Sequence, residues 1–412
     1  MMFFYNLFIR LLIAGMKIGS AFNYKLKKGL AGRRQSCETV QALFTPEDLV
    51  IWMHAASLGE YEQGLPVLEE LKRLHPHHKI LVTFFSPSGY DHVVTKNKIA
   101  DVVCYLPFDT EKWVQEFTAS FKTDIFFTVK YDYWYHLLRR LKQQGAQVFV
   151  VSALFYETQV FFKAYGKWFV KQLRRNVDFF FHQTQHSTAL AKSLGLQNSM
   201  TTGDTRYDRV KTLRDSQQEI PYISHFKNKQ RLVIFGSSWE TEERIAEIIS
   251  IKNKDTKIII APHDLKRVPQ IRELFPQAIL YSGLNETTPS HVYKAQVLIV
   301  DCIGLLSSLY RYGDIAVVGG GFHSKGLHNI LEAAAFGLPV FFGNQYYKNP
   351  EADELVKQEG GKCFEDEFFA ATYILSLLDN REQLKKMSQQ AYKFIASQPN
   401  ATATIVRKML TK

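Results

Sequence analysis

The sequence predicts an α/β protein of two doubly wound, Rossmann-like domains facing an interdomain cleft, preceded by a membrane-associated segment. Three observations carry that prediction. Short apolar, β-branched runs alternate with helix-period segments from about residue 49 onward. The alternation breaks once, in the polar, aperiodic stretch 215–230 around Pro221. Finally, the run Ile315 to Val318 ends in Gly319, Gly320 and Gly321, followed by a polar loop, the helical pattern ILEAAAFG and a second apolar run. That is a βαβ unit with its loop at the carboxyl end of a strand, where ligands bind in open parallel sheets. A chain of 412 residues with 46% hydrophobic content is long enough for two cores.

The chain opens on an unusual segment. Residues 1–22 are strongly apolar but broken by Asn6, Arg10 and Lys17, and residues 1–36 hold seven Lys and Arg with no acid. Seven of the net eleven positive charges therefore sit in one short stretch, which argues against a nucleic-acid-binding face spread over a domain. Apolar residues followed by cations suit an anionic membrane surface, with the body on the cytoplasmic side. The pattern fits neither a clean span of ~20 apolar residues nor a signal peptide, although Gly19-Ser20-Ala21 resembles a cleavage site. The segment reads as separable, since the first firm strand begins only at Leu49.

The strands expected next are 49–54, 79–85, 102–106, 125–129, 148–152 and 179–183. Gly64 and Pro66 are expected to kink or delay the first helix, 61–74. The second series runs 231–236, 257–261, 278–281, 297–300 and 315–318 and ends at 340–342. These give a segment 1–36, a domain 37–214, a linker 215–230, a domain 231–380 and an amphipathic helix in 381–412 that packs back. Cys37, Cys104, Cys302 and Cys363 lie far apart without a Cys-x-x-Cys pair, as in a reducing compartment with no zinc site or disulfide framework.

Candidate chemistry gathers at strand ends. Glycines at 319–321 admit an anion to backbone N–H groups, and Glu332 in the following helical turn can accept the hydroxyls of a ribose. The same residues also suit an ordinary βαβ turn with Asn329 as cap and a dipole-favoured Glu332. Glu60, after the first strand, is placed either as a base for an attacking hydroxyl or as a carboxylate preferred at a helix start. Ser237-Ser238 and Pro262-His263 follow strands of the second series. On a helix, Lys163, Lys167 and Lys171 form one stripe, read as a solvated face or as a surface for anionic headgroups.

With these motifs in this order the chain resembles the 3-deoxy-D-manno-octulosonic acid (Kdo) transferases, over essentially its whole length. The resemblance rests on Ala56 to Glu60, Tyr105-Leu106-Pro107-Phe108-Asp109, Gly203 to Arg209, Ser237-Ser238-Trp239, Pro262-His263, and Gly319 through His328-Asn329-Ile330-Leu331-Glu332. It implies a GT-B glycosyltransferase with acceptor in the first domain and CMP-Kdo in the second. It implies inverting transfer of Kdo to a lipid A precursor at the cytoplasmic face of the inner membrane, without a cofactor or metal. Glu60 then becomes the general base and Asn329 and Glu332 ribose ligands, with Ser238, His263, Gly320 and Gly321 in the donor site.

The sequence departs from that family in three places. Lys130-Tyr131-Asp132-Tyr133-Trp134 stands where Glu-x-Glu-x-Trp is common, Ser152-Ala153-Leu154 replaces Asn-Ala-Arg, and Ala261-Pro262-His263 replaces Pro-Arg-His. The lost cations point to Lys130, Arg206, Arg209 and Lys325 as contacts to carboxylate or phosphate. Two rivals remain: another sugar-nucleotide enzyme on this architecture, such as a UDP-sugar lipid glycosyltransferase or an epimerase, and a non-catalytic binder, whose mark would be loss of Glu60 or Glu332.

Overall fold

The computed structural model describes all residues except 96–97, 217–218, 285–291, 293, 325, 348 and 412. The chain forms two compact units, Met1–Arg209 with Pro399–Lys412, and Val210–Gln398.

The first unit is built on a parallel sheet of β1 (Leu49–Ala55), β2 (Lys79–Phe84), β3 (Val102–Tyr105), β4 (Lys122–Val129), β5 (Gln147–Ala153), β6 (Phe179–His182) and β7 (Ser199–Thr201). Its order is β3-β2-β1-β4-β5-β6-β7, so the winding reverses between β1 and β4. Helices cover both faces, which is why β1 is one apolar run with no polar alternation. Val50 and Trp52 enter the core on one face, and Ile51, Met53 and Ala55 the core on the other.

The second unit repeats the plan with β8 (Leu232–Ser238), β9 (Lys257–Pro262), β10 (Ile279–Leu280), β11 (Val297–Ile299), β12 (Ile315–Val318), β13 (Val340–Gly343) and β14 (Gly361–Phe364). All its strand pairs are parallel, in the order β10-β11-β9-β8-β12-β13-β14, and the reversal falls between β8 and β12. Two doubly wound α/β units are what the alternation predicts. The edge strands β7 and β14 were not expected, because Ser-Met-Thr and Gly-Lys-Cys-Phe are too short and polar to stand out.

Several local expectations need correction. Helix α3 (Leu58–Leu74), the third of the chain, starts at Leu58 and runs through Pro66 without delay. Gly64 is required there because a Cβ would stand 2.4 Å from the Met53 sulfur. The lysine stripe is not one helix: two 3₁₀ turns, Val160–Phe162 and Ala164–Gly166, precede a helix at Lys167–Asn176. Gly166 passes so close to the Val160 carbonyl that a side chain has no room. The stretch 215–230 is no bare linker, since Ile223–Lys227 is helical with Ile223 and Phe226 fully buried, and the unit boundary lies earlier.

The C-terminal segment is two helices rather than one. Arg381–Ala396 belongs to the second unit, and Ala401–Leu410 belongs to the first. The Asp208 carboxylate accepts hydrogen bonds from the N–H (2.7 Å) and hydroxyl (2.8 Å) of Thr402, fixing that last helix.

The N-terminal segment is part of the first unit rather than an appendage. It forms α1 (Met2–Gly19) and α2 (Tyr24–Leu43). Arg33, read from sequence as one of the membrane-facing cations, is 3% exposed. Its guanidinium donates to the carbonyls of Gly29 and Phe85 and lies 4.4 Å from the Phe85 ring and 4.9 Å from that of Phe108. Helix α2 approaches β3 so closely that a Cβ on Gly32 would overlap the Tyr105 ring.

Candidate functional site

In the first unit the carboxyl ends of β1 and β4 gather a charged cluster. Ala56 and Ser57 leave β1 and enter α3, and their N–H groups both donate to Glu60 Oε2, at 2.6 and 3.1 Å. One carboxylate oxygen is thereby locked to the helix start, a capping-box geometry. The other oxygen takes no such bond. Burial leaves Glu60 8% exposed and pushes its pKa above the ordinary carboxylate range, helped by the Asp132 charge and opposed by Lys130. A carboxyl so raised is a stronger base once ionised.

Asp132 belongs to this cluster and was not singled out from sequence. Its Oδ2 lies 2.6 Å from Nε2 of His54, which is completely buried. Behind it Trp52 Nε1–H donates to Thr83 Oγ1 at 2.8 Å, and His54 Nδ1 lies 3.0 Å from that hydroxyl and 3.1 Å from the Thr83 carbonyl. Lys130 is held beside it in the left-handed region, φ 64°, with its N–H donated to the Val151 carbonyl at 2.9 Å. The acid missing at position 130 is thus accompanied by an acid at 132 that remains in place.

The other expected cations are already engaged. Arg206 pairs with Asp204 at 2.7 Å and Arg209 with Glu62 at 3.0 Å, so neither offers the uncompensated charge the sequence suggested. Lys325 lies outside the described residues.

In the second unit the carboxyl ends of β8, β9 and β12 carry an aromatic stack. The His263 ring lies against Trp239 (4.8 Å) and His328 (4.4 Å), and Trp239 Nε1 donates to His328 Nε2 at 3.3 Å. Beside it opens a pocket of about 480 Å³ lined by Ser237, Pro262, His263, Lys266, Cys302 and Ile303, among others. Lys266 therefore brings a cation to this rim that sequence reading missed.

The glycine turn is tighter than an open anion cradle. Gly320, at φ 93°, gives its N–H to Glu242 Oε1 at 3.1 Å, so that donor is taken. Burial raises the pKa of Glu242, which is fully enclosed. Gly321 faces Gly343, where a Cβ would meet backbone at 2.7 Å. Ser238 is also buried, with its hydroxyl 3.4 Å from Glu243, so the adjacent Ser237 (φ 52°) lines the pocket instead. Asn329 and Glu332 do come together: Asn329 Oδ1 accepts the Leu331 N–H at 3.0 Å, and its Nδ2 donates to Glu332 Oε1 at 3.1 Å.

A buried histidine, His182, and a half-buried one, His328, couple this architecture to pH. Burial lowers both His328 and His182 to about 4 from 6.5. The folded state then binds fewer protons than the unfolded state, so their stabilisation is complete above pH 6.5 and is lost as pH falls towards 4. At most about 3.5 kcal/mol per histidine is involved, from ~1.4 kcal/mol per pKa unit. The thermal midpoint should therefore fall across that window, and less steeply in His328→Asn. An equal slope in the variant would exclude His328 as a source.

Two Rossmann-like units with polar groups at the carboxyl ends of their strands define the GT-B class, shared by glycosyltransferases and sugar-nucleotide epimerases. The UDP-GlcNAc 2-epimerase of Neisseria meningitidis, solved with UDP-GlcNAc, aligns with a TM-score of 0.60 at 16% identity, over 88% of this chain and 100% of that one. That likeness shows the fold alone. Residues 26–209 match the family described as 3-deoxy-D-manno-octulosonic-acid transferase (kdotransferase). The chain is 27% identical to the 3-deoxy-D-manno-octulosonic acid transferase of Aquifex aeolicus over 358 residues, 84% of this chain and 93% of that protein. Its similarity to the Chlamydia trachomatis enzyme of the same name is 25% over 382 residues, 89% and 87% of the two chains. Over most of its length the chain is thus similar to Kdo transferases, and it is a glycosyltransferase.

Proposed function

We propose that the protein transfers Kdo from CMP-Kdo to a lipid A precursor, lipid IVA, with inversion at the anomeric carbon. The observation that carries the reading is Glu60, locked through one oxygen and open at the other, with burial raising its basicity. It takes the proton of the acceptor hydroxyl as that oxygen attacks Kdo, while Lys130 and Asp132 orient the acceptor. The second unit holds CMP: the Asn329–Glu332 pair meets the ribose hydroxyls, and Lys266 and His263 border the pocket that takes the rest of the nucleotide. Gly320 and Gly321 serve by letting backbone approach closely, and Gly320 does so without its N–H. Cations and N–H groups offset the charge on departing CMP. The acceptor is carried by lipid, so the protein works on the anionic cytoplasmic face of the inner membrane.

Incubation with CMP-Kdo and lipid IVA should give a product heavier by whole Kdo units in a mass spectrum. No mass gain with this pair would reject the reading. CMP should raise the thermal midpoint and UDP should not, because a ligand of the native state stabilises by mass action. The reverse preference would favour a UDP-sugar enzyme like the epimerase of the same fold. Glu332→Ala should weaken CMP binding by about 1–3 kcal/mol, the worth of hydrogen bonds to a charged acceptor. Unchanged affinity would remove Glu332 from the ribose site.

A further inference from the structure

Helix α1 is long and apolar enough to cross a membrane, yet one of its sides is already occupied. Tyr5, Asn6, Ile9, Leu12, Ile13 and Met16 recur at helical spacing and are partly or wholly covered. The Tyr5 hydroxyl donates to Asp109 Oδ2 at 2.5 Å and accepts the Tyr135 N–H at 3.1 Å. Asn6 Oδ1 lies 2.7 Å from His136 Nε2. Asp109, 2% exposed, also accepts the N–H groups of His136 and Leu137, so the helix is fastened to a buried carboxylate.

The outward side is different. Phe3, Phe4, Leu7, Phe8, Leu11 and Ile18 are 42–71% exposed. Arg10 and Lys17, seven residues apart, share one flank between the two sides. Lys167 and Lys171 stand exposed on the helix whose Trp168 and Phe169 pack against Tyr5. A spanning helix puts its whole circumference in lipid, which would strip Tyr5 and Asn6 from their partners.

We infer that α1 lies in the plane of an anionic bilayer surface and does not span it. Its inner side stays docked on the first unit, its phenylalanine side enters the acyl boundary, and Arg10, Lys17, Lys167 and Lys171 meet anionic headgroups. The inference rests on the reading of a lipid-borne acceptor and fixes which side of the first unit faces that lipid.

The test uses the full chain carrying Phe4→Trp, Leu11→Trp or Ile18→Trp, bound to phosphatidylglycerol vesicles brominated at shallow or deep acyl positions. Quenching is taken relative to the parent protein, which has five tryptophans of its own. Phe4 and Ile18 are about 21 Å apart along the axis, at ~1.5 Å per residue. An in-plane helix gives all three positions the same depth, quenched most by the shallow bromines. Strongest deep quenching at Leu11, with both ends shallow, overturns the inference and leaves a lipid-borne acceptor standing. No quenching at any position overturns the docking surface and the membrane reading together, whereas CMP protection of the second unit would survive either failure.

Discussion

Glu60→Gln is expected to lower transfer by roughly 10²–10⁴-fold, the usual contribution of a positioned general base. Glutamine preserves the side-chain oxygen that accepts the N–H groups of Ala56 and Ser57, so the start of α3 should stay intact. CMP affinity, measured by titration calorimetry, should not change, because the proposed nucleotide site belongs to the other unit. Near-normal turnover would remove Glu60 from the mechanism. Turnover and CMP affinity falling together would mean that the substitution damages the fold instead. In the active protein the rate should rise as pH climbs through a Glu60 pKa that burial and Asp132 hold above the ordinary carboxylate range.

Deletion of residues 1–36 is expected to destabilise the first unit severely rather than free it from the membrane. The deletion removes Ile9, the Tyr5 bond to Asp109, and the buried Arg33 with its bonds to Gly29 and Phe85. Burial of one such apolar side chain contributes about 1.5–3 kcal/mol. A hydrogen bond to a charged group adds about 1.5–3 kcal/mol. Together these approach the ~5–15 kcal/mol that separates a folded domain from its unfolded chain. Calorimetry should show one transition lost or lowered sharply, with a CMP-stabilised transition remaining. An unaltered first transition would restore the separable anchor suggested by sequence.

The strands that position the site were legible because a strand covered on both faces must be largely apolar, as β12 is throughout and β1 is up to His54. The positions of Glu60 and Glu332 in first helical turns were legible because strand-end loops and helix starts leave local marks. What sequence concealed was pairing over distance. His54 meets Asp132 across 78 positions, and nothing at either residue announces the other. Glu242 silences the N–H of Gly320 from the first turn of the helix after β8, so glycine spacing alone overstated the anion cradle. Arg33 counted as a surface charge because a formal charge carries no record of burial. The acidic partners of Arg206 and Arg209, Asp204 and Glu62, are likewise invisible as partners in a string of letters.

The hydrogen bonds between Asp208 and Thr402 have a consequence for the order in which the molecule is made. The chain leaves the first unit at Arg209, builds the whole second unit, and returns only at Pro399. Ala401, Ile405, Val406 and Met409 then complete the core shared with Leu68 and Leu71 of α3, the helix that carries Glu60 in its first turn. During synthesis the second unit can fold as soon as it emerges, while the first waits with one face of α3 bare until nearly two hundred later residues have been added. A ribosome-stalled or prematurely terminated chain would thus carry a complete second unit and an unfinished first one, and chaperones should linger on the earlier half of the sequence.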